Sequence, residues 1–167
     1  PFAFILALNF GIHKLSVPAA QAVFWAFAAV MGLSLSSIFL VYTGGSIAKV
    51  FFITAAMFGS MSLYGYTTRR DLTSMGAFLF MGLIGLIIAM IVNIFMQSTM
   101  LEFIISVVGV LVFLGLTAFD TQKIKEAYQE NIGREGLGKL AIMGALTLYL
   151  DFINLFLMLL RLFGNRE

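Results

Sequence analysis

The sequence predicts an all-α fold: a polytopic membrane helix bundle with five full spanning helices and a partial one ahead of them. Three observations carry this. The chain is 61% hydrophobic and 11% charged, with a mean hydropathy of +1.04, whereas soluble domains run about 45–50% apolar and about 25% charged. Five apolar runs reach the about 20 residues that a spanning helix needs. None of them alternates in polarity over about ten residues, as a strand of a membrane barrel would.

The opening run, PFAFILALNFGI, has no basic n-region and is not a signal peptide. It reads as the second half of a spanning helix, so the sequence is expected to be a fragment whose first helices are missing. The five full spans follow in order as Val17–Tyr42, Ser46–Tyr66, Met75–Met96, Leu101–Phe119 and Leu140–Phe163. Short polar connections separate them: HKLS, TGG, TTRRDLTS, QST and a longer loop around QENIGREGLG. The polar stretch KIKEAYQE is expected to carry the fourth helix on into water. With two Pro and no low-complexity tract, residues 1–167 form one domain. The absence of Cys excludes thiolate chemistry, and no basic run is long enough to make nucleic acid a partner.

Alternating spans sort the basic residues onto two ends. Lys14, Arg69, Arg70, Lys123, Lys125, Arg134 and Lys139 fall at one, and Lys49, Arg161 and Arg166 at the other. The positive-inside bias places the first group, with the 120–139 segment, in the cytoplasm and the C-terminus outside. Small residues four apart, Gly32 with Ser36, Ala55 with Gly59 and Ala56 with Ser60, predict close helix packing. Tyr42, Tyr64 and Tyr66 suit an aromatic belt. Asn93 reads as an interhelical hydrogen-bond donor, Glu102 as a helix-start carboxylate favoured by the dipole, and Arg69–Asp71 as a headgroup-facing loop.

The chemistry lies in two carboxylates. Asp151 sits inside ALTLYLDFINLFLMLL, where a charge at the centre of a span costs about 2.5–3.5 kcal/mol on insertion scales. Asp120 ends the preceding apolar run. The midpoint of positions 120 and 151 is 135.5, inside the turn-like stretch Asn131–Gly138, so an antiparallel hairpin sets the two acids at similar depth. Thr147, Asp151 and Asn154 share one helical stripe; Ser106, Gly109, Thr117 and Asp120 share another. Lipid rejects both stripes, which predicts that they face inward and meet. Two carboxylates in contact cannot both stay ionised cheaply, and such a pair titrates as a unit. It suits a pH switch, a cation site or acid–base catalysis; a purely structural hydrogen-bonded pair is the plain alternative.

SLYGYTTRRDL, GLTAFDTQKIKEAY and ALTLYLDFINLFLMLLRLFGNRE together resemble the transmembrane Bax inhibitor motif family, along essentially the whole chain. The resemblance implies a seven-helix fold whose last helix is central. It implies a pH-sensitive calcium leak of the bacterial inner membrane, with Asp120 and Asp151 as a proton-sharing sensor pair. It also implies a basic latch partner for the first aspartate, for which Lys14 is the nearest candidate, with His13 beside it. Calcium, protons and the bilayer are then the partners, and no cofactor is needed. Thr117, Thr147 and Asn154 are candidate pore-lining groups, and the two acids with Thr147, Asn154 and water could make a weak calcium site. A proton-coupled transporter and a non-conducting membrane regulator remain as alternatives. An intramembrane aspartyl protease does not fit: the second acid lacks its Gly-x-Gly-Asp setting, no Pro follows position 18, and no enzymatic activity is expected.

Overall fold

Short polar side chains mark where each helix begins and ends. The computed structural model describes residues 16–130 and 134–164. The opening run, His13, Lys14 and Arg166 lie outside the described residues. Helix α1, Val17–Leu35, starts at Ser16, whose hydroxyl accepts the Ala19 N–H at 3.3 Å, with proline in its first turn. The run expected to continue to Tyr42 breaks at two serines. Ser36 and Ser37 donate their hydroxyls to the Leu33 and Ser34 carbonyls at 2.6 and 3.1 Å, diverting acceptors from the helical ladder. A four-residue helix, α2, Ile38–Val41, completes the crossing.

Helix α3, Gly44–Thr67, begins at Thr43, whose side chain accepts from the Ser46 N–H at 3.2 Å. Helix α4, Thr73–Met96, is preceded by Asp71, which accepts from both the N–H and the hydroxyl of Thr73. It ends at Gln97, in the left-handed region at φ 51°, where the Ser98 N–H donates to the Asn93 side-chain oxygen at 3.0 Å. Asn93 thus closes its own helix instead of reaching across to another. Helix α5, Thr99–Glu130, runs through KIKEAYQE as expected. Helix α6, Arg134–Phe163, starts six residues before the predicted Leu140 and takes up most of the expected loop.

Helices α5 and α6 pack along one another; α5 also packs on α3 and α4, and α6 on α3 and α1. Helix α6 is the most enclosed, with 44% of its most apolar stretch buried, followed by α5 at 39%. Five helical segments among the described residues are long and apolar enough to span a membrane. The outer face of α4 bares Phe78, Met81, Ile88 and Phe95, a surface that suits hydrocarbon and not water.

Close helix approach comes from glycines other than those expected. Gly32 and Gly59 have nothing against them, and Ser36, Ala55, Ala56 and Ser60 are exposed. Their spacing marks small residues, but none of them makes the close approach; Ala55 sits on α3 between Phe51 and Phe58, whose rings meet Phe152 of α6. Instead Gly65 of α3 lies on the Ala118 backbone of α5, Gly76 of α4 on the Phe119 ring, and Gly115 of α5 on Leu79. Of the expected aromatic belt, Tyr64 and Tyr66 are exposed whereas Tyr42 is buried, packed beside Gly164.

Two ends result. At one, the Gln122 side chain donates to the Arg70 carbonyl at 2.6 Å and accepts the Leu72 N–H at 2.9 Å, and Lys125 donates to the Tyr66 carbonyl at 2.7 Å. Arg69, Arg70, Lys123, Lys125 and Lys139 gather there, and Lys49 and Arg161 lie at the other.

Candidate functional site between the last two helices

The register of α5 against α6 is set by close contacts on both sides of the acids. Gly109 meets Met158, and Gly144 meets Ile124. That antiparallel alignment brings Asp120 against the part of α6 that carries Thr147 and Asp151. Every member of the α5 stripe, Ser106, Gly109, Thr117 and Asp120, is buried.

Asp120 and Asp151 are 7% and 6% exposed. Their carboxyl groups lie within side-chain hydrogen-bonding reach of one another. A bond between two carboxyl groups needs a proton on one of them, because an ionised carboxylate only accepts. The Asp151 Oδ2 atom is enclosed and has no hydrogen-bond partner. Lys123, one turn beyond Asp120 on α5, is near enough for its charge to act on that carboxylate.

Both acids line one cavity, and Asp120 also lines a second beside it. A cavity of about 320 Å³ between α5 and α6 is lined by Asp120, Lys123, Met143 and Thr147. The same four residues also line a cavity of about 520 Å³, which continues past Asp151 and Asn154 and is walled by Leu83, Ile87 and Met90 of α4. Thr147 donates its hydroxyl to the Met143 carbonyl at 2.9 Å, and Asn154 donates its amide to the Leu150 carbonyl at 2.8 Å. Their oxygens remain as acceptors toward the cavity. Thr117 stands elsewhere: fully buried, it donates to the Phe113 carbonyl at 2.7 Å and does not line either cavity.

Among the described residues no group of three or more His, Cys, Asp or Glu comes together. Calcium takes six to eight oxygens, so two carboxylates, a hydroxyl and an amide could hold it only weakly, with water completing the shell. Lys14 and His13 lie outside the described residues. The basic group that does line the cavities is Lys123, which the sequence reading used only for orientation. Its i+3 position from Asp120 was the available signal.

The family model for the inhibitor of apoptosis-promoting Bax1 matches residues 1–167. The chain is 54% identical over 167 residues to the inner membrane protein YbhL of Escherichia coli K12, covering 99% of this chain and 71% of that protein. It is 54% identical over 168 residues to an uncharacterised protein of Rickettsia prowazekii, with 100% and 71% covered. An uncharacterised membrane protein of Streptococcus pyogenes is 42% identical over 157 residues, with 94% and 68% covered. With its membrane-length helices, buried hairpin and full-length match, this chain belongs to the Bax inhibitor family of membrane proteins.

Proposed function

We propose that the chain forms a pH-sensitive calcium leak across the bacterial inner membrane, governed by a proton shared between Asp120 and Asp151. One observation carries the reading: an enclosed Asp151 oxygen without a partner, beside a second buried carboxylate, on the wall of a cavity large enough for ions and water. A buried carboxylate with an unused oxygen is costly. It persists most readily where a proton or a cation visits it.

With the proton held, the pair links α5 to α6 by a hydrogen bond and carries at most one negative charge. Without it, two anionic groups repel and together attract a cation. Thr147 and Asn154 offer neutral oxygens along the same wall. Conduction requires binding loose enough to release, and two carboxylates completed by water meet that condition. The name of the Escherichia coli relative supports the inner membrane, and the positive-inside bias sets the Lys123 end in the cytoplasm and the C-terminus outside.

The test is calcium flux through the purified protein in liposomes across a pH series. The wild type should conduct with a pH-dependent rate, and Asp151→Asn should flatten that dependence. A mutant with the wild-type pH profile would remove the sensor role. Solute uptake driven by a proton gradient would favour a coupled transporter, and absence of any flux a membrane regulator.

A further inference from the structure

A second hollow, open to the surface, lies apart from the aspartate cavity. At the opposite end of the bundle a cavity of about 700 Å³ is lined by Asn93, Gln97, Glu102 and Arg161, with Ile94 and Ile105 among them. Its wall mixes those four polar side chains, one of each charge among them, with the apolar Met90, Ile94 and Ile105. The aspartate cavity has polar groups at its other end, toward Lys123, and both cavities include Met90. Between the acid-bearing wall of α5 and α6 and Asn93, the α4 side is hydrocarbon and thioether: Leu83, Ile87 and Met90. Met90 is partly buried and packed on the main core cluster.

We propose that Met90 is the dry seal of the pathway, separating the aspartate cavity from an outer vestibule formed by Asn93, Gln97, Glu102 and Arg161. The inference rests on the leak reading above and adds a second barrier to it. An apolar constriction between two hydrated spaces blocks ions by excluding water, and a small widening admits both. Methionine fits that task. It is unbranched with three rotatable bonds, so it can fill the gap in one rotamer and clear it in another without helix movement. An ion released by the aspartates leaves past Met90 and enters a chamber where Asn93, Gln97 and Glu102 offer oxygens that replace lost hydration.

The experiment measures calcium efflux from liposomes holding the full chain with Met90→Ala, Met90→Phe or Met90→Leu, alongside Asp151→Asn. Met90→Ala should raise the rate several-fold at every pH and leave the pH midpoint where it was. Met90→Phe should lower it, and Met90→Leu, of similar volume but branched and less adaptable, should lower it by less. Ala and Phe variants that both conduct at the wild-type rate, while Asp151→Asn still loses its pH response, would overturn the seal and leave the leak reading standing. No flux from any variant would remove both. Because the chain has no Cys, Met90→Cys gives a second measurement that does not depend on the alanine variant folding. Relative to an exposed Arg69→Cys variant at the same pH, which carries the thiolate's own pH dependence, a charged thiol reagent should label it faster at the pH of high flux than at the pH of low flux; an equal ratio at both, or no labelling at either, would overturn the seal.

Discussion

Helix α5 has two working faces that are built in opposite ways. Toward α3 and the first turns of α4 it is tight: Gly65 lies on the Ala118 backbone, Gly76 on the Phe119 ring, and Gln122 ties down the loop from Arg70 to Leu72. Toward α6 it presents Asp120 to a second carboxylate and to open space. The first face holds α5 in place through van der Waals contact and satisfied hydrogen bonds. The second leaves an oxygen unpartnered and room to rearrange. A proton-controlled device needs both, since a movable contact has meaning only against a fixed one.

The tight face breaks most severely at Gly65. A Cβ there would run into the Ala118 carbonyl, backbone that cannot step aside. Gly65→Leu should therefore cost about 3 kcal/mol or more, at the upper end for overpacking a well-packed contact. The expected result is loss of a monodisperse peak on size exclusion in detergent; a well-behaved variant with wild-type thermal stability would show that α3 is not fixed there.

The loose face should behave in the reverse manner. Asp151→Asn keeps the shape, leaves Asp120 as the pair's one acid and removes the repulsion between two carboxylates. Its thermal midpoint should match or exceed wild type while the pH dependence of flux disappears. A large stability loss with an intact pH profile would invert the two faces. Gln122→Leu lies between these extremes. It strands the Leu72 N–H and the Arg70 carbonyl, and each unsatisfied buried group costs about 1–3 kcal/mol. It should lower the unfolding midpoint yet leave the pH midpoint of flux in place.

The loose face was largely legible in the sequence and the tight one was not. Two acids equidistant from a turn, on stripes too polar for lipid, announce a buried pair whatever the details of packing. The contacts of α5 with α3 and α4 rest on which glycine meets which backbone atom, and spacing is a poor guide to that. Gly32–Ser36 and Ala55–Gly59 have the right period but bring no backbone close to another helix, whereas Gly65 and Gly76 belong to no repeat in the sequence. Gln122 was missed for a related reason: a polar residue just past a span reads as solvated until a loop 50 residues away comes to meet it. The break at Ser36 and Ser37 was open to inference, since adjacent serines compete for helical carbonyls, but hydropathy alone runs through it. Gln97 carried no mark at all, because its left-handed backbone is a conformation more usual for glycine or asparagine.

The smallest effect is expected at Asp71, where the tight face reaches water. Its carboxylate accepts from the Thr73 hydroxyl at 2.6 Å and the Thr73 N–H at 3.0 Å. Those two bonds, the hydroxyl first, hold its pKa below the ordinary 3.8. A depressed carboxylate contributes stability above its unfolded pKa, and that contribution fades as pH falls through the folded value. Asp71→Ala should thus lower the thermal midpoint slightly and by a constant amount at neutral and mildly acidic pH. The gap between the two proteins should then close as the pH drops below 3.8. Comparing wild type with mutant at each pH cancels the titration of Asp120 and Asp151, which both proteins share. A gap that widens on acidification would mean that the start of α4 is held by something other than this carboxylate. Flux should be unaffected at every pH, because the residue lies on the loop that Gln122 has already fastened, outside the cavities that hold the acid pair.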